Sequence, residues 1–183
     1  MGNFYFNYTL KGRSSADVAR ALKGRRTLIT PKQNDSVVVY VESDFPQDMD
    51  PTRASELSAQ LSCPVFCVTV HDDSILIYKL FRDGECVDEY DSSPDYFSPI
   101  PPRRGPVGGN APLLCKTFGR GSPDEVERIL RKTDYTFEYR RHQDLVAALE
   151  MNSYAVGLGY DYVRNGDIPD FVGLKASDLL ATD

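Results

Sequence analysis

The sequence lacks any apolar run long enough to span a bilayer, and its first residues, Met1-Gly2-Asn3-Phe4-Tyr5, lack the charged and apolar regions of a signal peptide. The expectation is a soluble protein in the cytoplasm with no membrane partner. Cysteine is scarce as well: Cys63, Cys67, Cys86 and Cys115 lie in or beside apolar segments, without CxxC spacing or the density of a secreted disulfide scaffold. They read as buried, reduced thiols. On a strand, Cys63 and Cys67 would stand roughly 13 Å apart, too far to share one zinc ion.

Positive charge is the minority: 21 Lys and Arg stand against 27 Asp and Glu, a net charge of −6, with acids crowded into Glu42 to Asp50 and Asp83 to Asp95. Nucleic-acid binders need a basic face to neutralise phosphates, so DNA, RNA and anionic lipid are disfavoured as partners. The short basic clusters at Lys23, Arg25 and Arg26, at Arg103 and Arg104, and at Arg140 and Arg141 read as solvated surface charge.

The signatures of common chemistries are missing too. Gly157-Leu158-Gly159 has no third glycine of a dinucleotide fingerprint, and neither a Walker sequence nor a Gly-x-Ser-x-Gly elbow occurs. The acids from Asp83 to Asp95 lack the spacing of an EF-hand loop, and His71-Asp72-Asp73 could find a second imidazole only in His142. Cys115 and His142 could form a nucleophile and base only if the fold brought them together. No catalytic residue, metal or cofactor is therefore assigned.

What is present is a well-patterned α+β chain. Phe4, Phe6, Tyr8 and Leu10 alternate with Tyr5, Asn7 and Thr9, predicting a strand with one buried face. Ser14 with Asp17 forms a capping box before a short helix, and Thr27 to Thr30 and Ser36 to Glu42 are β-branched runs about a turn. Asp50-Pro51 opens a second helix carrying Ala54, Leu57 and Leu61, and Val65 to Val70 makes another strand. The order β-α-β-β-α-β predicts a ferredoxin-like core with both helices on one face.

Two further antiparallel strands extend that sheet, Ser74 to Phe81 and the run after the Asp83-Gly84 turn, with Arg82 facing Glu85 and Lys79 facing Asp88. Residues 92–112, rich in Pro, Gly and Ser, read as a long loop between a sheet-containing half (1–91) and a helical half (113–183). Helices are predicted at Leu113 to Phe118, at Pro123 to Lys132 with Ser122 and Glu125 as its capping box, and at Arg140 to Glu150; a strand is considered at Tyr160 to Val163. Several strands are apolar on both faces, so the C-terminal helices should cover the face the first two leave open, and 1–183 should form one cooperative domain.

The functional expectation is a non-enzymatic protein-interaction or regulatory module, monomeric or weakly self-associating. Its candidate surface lies in the loop: Tyr96, Phe97 and Ile100 are apolar residues beside Pro99-Ile100-Pro101-Pro102-Arg103-Arg104, a PxxPxR pattern that could dock in an aromatic groove. Tyr96, Phe97, Ile100, Arg103 and Arg104 are the candidate partner-binding residues. The alternative is a small ligand-binding protein or enzyme, its site lying between the sheet extension and the C-terminal half.

Overall fold

A computed structural model describes residues 2–43, 50–98 and 104–183. The strands are β1 (Tyr5–Lys11), β2 (Thr27–Ile29), β3 (Ser36–Val41), β4 (Val65–His71), β5 (Ile75–Arg82), β6 (Glu85–Asp91), β7 (Val107–Gly108) and β8 (Leu180–Thr182). The helices are α1 (Ser15–Ala21), α2 (Pro51–Leu61), α3 (Ala111–Phe118), α4 (Pro123–Arg131), α5 (Glu138–Ala148) and α6 (Tyr160–Asn165), with 3-10 turns at Ser153–Ala155, Asp170–Val172 and Ala176–Asp178. The protein is α+β, built on one eight-stranded sheet in the order β7-β6-β5-β4-β1-β3-β2-β8, with every pairing antiparallel. No helix among the described residues is long and apolar enough to cross a membrane.

Each sheet face has its own core. Phe6, Tyr8, Leu10, Val37, Val39 and Cys67 pack with Val18 and Leu22 of the α1 segment and Ala54 and Leu57 of α2. The opposite face presents Tyr5, Val38, Tyr40, Phe66, Val68 and Tyr78 to Leu114 and Phe118 of α3, Val126 and Leu130 of α4, and Leu145 of α5. Strands that read apolar on both sides are thus covered on both sides, as antiparallel sheets need be only when helices lie on each face.

Local chemistry explains the element ends. Ser14 caps α1 by accepting from the Asp17 backbone N–H at 3.1 Å, and its hydroxyl donates to the Asp17 carboxylate at 2.6 Å. Asp50 accepts from Arg53 N–H at 3.2 Å, and Pro51 occupies the first turn of α2, where no N–H is needed. Ser122 makes no side-chain cap at α4, so the capping box expected with Glu125 does not form.

The structure corrects the sequence reading at several further points. β1 buries both faces from Tyr5 to Leu10, because it is a central strand; its polar Asn7 is accommodated by donating to the carbonyls of Ala155 at 2.7 Å and Leu158 at 2.9 Å. Four strands, not two, flank the β4-β1-β3-β2 core: β7 arises inside the 92–112 loop, and β8 at the C-terminus pairs with β2. Tyr160 to Val163 is helical, with Gly166 at φ 80° ending α6 in the left-handed conformation that glycine favours.

In the β5–β6 hairpin, Arg82 does face Glu85, but the pairing shifts between Leu80 and Phe81, so Val87 is an extra residue and Lys79 faces Glu89. The Lys79 ammonium lies 2.8 Å from the Glu89 carboxylate. Asp88 turns to the opposite face instead, where it accepts from the Tyr78 hydroxyl at 2.8 Å and from Asn110 N–H at 3.0 Å, and burial pushes its carboxyl above the usual range. β7 can approach β6 this closely only through Gly108: a Cβ there would stand 2.1 Å from the Glu89 carbonyl oxygen.

Candidate functional site

At the end of the sheet where β4 turns into β5, Asp72 and Asp73 both adopt left-handed φ values, 51° and 52°. Aspartate tolerates that conformation in a tight turn, and here the two side chains also capture the N-terminal segment. Asp72 accepts from Gly2 N–H at 3.2 Å, and Asp73 accepts from the Asn3 backbone N–H at 3.0 Å and from its side-chain amide. The Asp73 carbonyl accepts from Glu138 N–H at 2.8 Å, tying the start of α5 to the same turn.

This arrangement gathers four aromatic rings. Tyr5 pairs with Val70 in the β1–β4 register, so Phe4 and His71 are the next opposed positions, and their rings meet edge-on at 4.8 Å. His71 also meets Tyr96 at 6.0 Å and Phe97 at 5.3 Å, and Tyr96 and Phe97 meet each other at 4.8 Å, all near T-shaped. Such edge-to-face geometry is favourable for aromatic quadrupoles. Phe97 is nevertheless 71% exposed, an unusual cost in water for so large an apolar ring.

The segment bearing Tyr96 and Phe97 is a stapled turn. Tyr96 N–H donates to the Ser93 carbonyl at 2.9 Å and Ser98 N–H to the Asp95 carbonyl at 3.0 Å. The Arg104 guanidinium straddles the Asp95 carboxylate, with Nη2 at 2.8 Å and Nε at 3.0 Å, and its backbone N–H adds a bond at 2.9 Å. These bonds hold the Asp95 carboxyl down at about 2. Arg104 is therefore committed to closing the loop, whereas Tyr96 and Phe97 form the face of the cluster; Ile100 and Arg103, with most of the PxxPxR pattern, lie outside the described residues.

The other chemically capable side chains have structural partners. His142 is fully buried, with Nδ1 2.9 Å from the Tyr5 hydroxyl and Nε2 unpartnered among the described residues. The imidazole tautomer decides which of the two groups donates in that bond. Burial pushes the imidazole down to about 3. Cys115 sits in the middle of α3, close to the Gly121 backbone, and burial pushes its thiol up, the opposite of what a nucleophile needs. Among the described residues, no three His, Cys, Asp or Glu side chains converge as metal ligands.

Comparison of the chain with protein-family models, curated proteins and solved structures gives no match.

Arg141 differs most from its sequence reading. Taken with Arg140 as solvated charge, it is 1% exposed and the largest fully buried side chain of the chain's described residues. Its Nε reaches Glu138 at 2.7 Å, Nη1 donates to the carbonyls of Ile129 at 2.5 Å and Leu130 at 3.1 Å, and Nη2 donates to Lys132 at 2.6 Å. A cation at the C-terminus of α4 also complements the helix dipole. No local pattern in the sequence separates it from Arg140, since the difference lies in which carbonyls α4 leaves open. Phe4 and His71 were missed as members of the aromatic cluster; the β1–β4 register would have found them.

Clefts occur elsewhere on the surface. One, of about 870 Å³, runs between α4 and α5, lined among others by Glu125, Arg128, Lys132, Tyr135 and Asp144. Tyr135 donates to Asp144 there at 2.6 Å.

Proposed function

We propose that the chain is a non-enzymatic protein-interaction or regulatory module of the cytoplasm. Its partner-binding surface is the aromatic cluster of Phe4, His71, Tyr96 and Phe97, with Arg104 fixing the loop; Ile100 and Arg103, which follow in the sequence, are kept as candidates from the sequence alone. The observation that carries this reading is Phe97, exposed to 71% at the rim of a cluster whose other rings are held by the sheet register and by the Asp95–Arg104 staple. A preorganised aromatic anchor loses little conformational freedom on binding, and aromatic side chains dominate the energetics of protein interfaces.

The scaffold is, in this proposal, a ferredoxin-like core folded as one cooperative unit over residues 1–183. The sub-order β4-β1-β3-β2 with α1 and α2 on one face supports it. The acidic net charge of −6 argues against nucleic acid as the partner. Four free thiols suit a reducing compartment.

The test is affinity capture from native cell extract, with bound proteins identified by mass spectrometry, comparing wild type with Phe97→Ser and with a deletion of residues 96–104. A stoichiometric protein retained by wild type and lost from Phe97→Ser supports the module; equal capture by all three refutes this surface. The alternative is a ligand-binding or enzymatic role with its site between the sheet extension and the C-terminal half; the cleft between α4 and α5 that could support such a role lies wholly within the C-terminal half. Under that reading a small ligand at 100 times its dissociation constant raises stability by about 2.7 kcal/mol, visible as a shifted melting curve.

A further inference from the structure

The outward face of α5 and the segment after it carry a pattern unconnected with the aromatic cluster. Arg140, Gln143 and Ala147, spaced three and four residues apart, follow one stripe of α5, and Glu150, in left-handed backbone just beyond the C-cap Leu149, borders the same hollow as Gln143 and Ala147. Beside this stripe lie two adjoining hollows. One, of about 400 Å³, is bordered by Val146, Ala147, Met151 and Val156; the other, of about 310 Å³, by Tyr139, Arg140, Val156 and Pro169. Gln143, Val156, Phe171 and Val172 line both, so the hollows form one apolar-floored groove.

Phe171 stands over that groove on the 3-10 turn Asp170–Val172 and is 90% exposed, more than any other large apolar side chain described. An aromatic knob next to an apolar groove on the same surface is self-complementary. Two copies related by a two-fold axis can each insert the knob into the other's groove, which is what an isologous interface requires.

The charges agree with such an axis. Arg140 and Glu150 lie at opposite ends of the stripe, and positions 140 and 150 share their midpoint with 143 and 147. Two antiparallel α5 helices crossing at that midpoint set Arg140 of each copy against Glu150 of the other, twice. The uncharged Gln143 and the small Ala147 occupy the centre, where the helices approach most closely. Within the chain, Arg140 bonds Gln143 at 3.0 Å and lies over the half-buried Tyr139 ring at 4.8 Å, and Glu150 pairs with Arg120 at 3.4 Å; both charged ends remain at the surface, where each can turn toward a second copy.

We infer that the α5 stripe and Phe171 form a self-association surface, occupied by a second copy of this chain in an antiparallel, two-fold arrangement. It goes beyond the proposed partner-binding site and uses different residues, so either can fail alone.

Sedimentation velocity over a concentration series tests it, on wild type, Phe171→Ser, Arg140→Glu, Glu150→Arg and the double variant Arg140→Glu/Glu150→Arg. Wild type is expected to dimerise and Phe171→Ser to remain monomeric with an unchanged circular dichroism spectrum. Each single charge reversal creates two like-charge contacts and weakens dimerisation by about tenfold or more, whereas the double reversal restores opposite charges and recovers affinity to within about threefold. The inference is overturned if wild type stays monomeric up to about 1 mM, a dissociation constant too weak for a specific dimer. It is equally overturned if the dimer survives Phe171→Ser, or if the double reversal dimerises no better than the single ones.

Discussion

Acidification should destabilise this protein through a buried imidazole, His142. The unfolded imidazole takes up a proton near 6.5, whereas in the folded protein burial delays protonation to about 3. Between those values the unfolded chain binds the extra proton, so stability falls as the pH falls. Each step of one in pH across that interval costs about 1.36 kcal/mol, giving a loss of about 2.7 kcal/mol between pH 8 and pH 4.5 and about 5 kcal/mol once pH 3 is passed. Domain stabilities are commonly about 5–15 kcal/mol, so this single group claims a large share.

The assay is urea unfolding followed by circular dichroism at pH 8 and pH 4.5, on wild type and His142→Gln. Asp73 and Glu138, whose charges act on the neighbouring Tyr5, are present in both proteins and cancel in the difference. Wild type should lose about 2.7 kcal/mol more than the variant over this interval, even though the variant begins less stable. Equal losses, within about 0.5 kcal/mol, would refute the buried neutral imidazole.

Further perturbations follow from the hydrogen-bond network. Arg141→Met should cost about 3–5 kcal/mol, since it strands a buried Glu138 carboxylate, and Arg141→Met with Glu138→Leu should recover part of that loss; chemical denaturation of both variants reads the difference. Asn152→Ala should cost about 1–3 kcal/mol in the same assay, because the fully buried amide donates to Thr30, Pro31 and Ser36 and accepts from Tyr154. For Asp95→Asn, proteolysis within residues 92–104 should quicken while the thermal midpoint of the whole protein barely moves. In the wild-type protein that staple should persist at pH 4 and open only as the pH falls through about 2, where the Asp95 carboxyl protonates.

Where a feature depends on neighbouring residues, the sequence predicts several element ends, though not the cap at Ser122 or the helix at Tyr160 to Asn165. Ser14 with Asp17, Asp50 with Pro51, and the Asp83-Gly84 turn each specify an element end through contacts a few residues long, and all three occur where expected. Runs such as Val37 to Val41 also announce two covered faces, because no polar residue alternates with them. Features set by distant pairing are harder to read. β8 pairs with a strand more than 150 residues earlier in the chain, and its Leu180–Thr182 run has no period to reveal it. The bulge at Val87 moves Lys79 from Asp88 to Glu89 with no glycine or proline to signal it.

The candidate site shows the same division. Tyr96 and Phe97 were identifiable as apolar residues in a polar loop, but their ring partners Phe4 and His71 come from two strands and meet only through the sheet register. Arg104 read as a partner-facing cation, yet Asp95, nine residues earlier, engages it in the loop itself. Charge pattern alone could not distinguish the two roles, since either leaves an arginine at the surface.

The proposed interaction surface is tested most directly by photocrosslinking in cells of origin, with p-benzoylphenylalanine replacing Phe97 in one protein and Val87 in another. Val87 is also solvent-exposed but lies on β6, away from the cluster. A discrete crosslinked band from position 97, absent from position 87 and containing one other protein, is the predicted result. No adduct at position 97, or the same adducts from both positions, would contradict an interaction module built on this aromatic cluster.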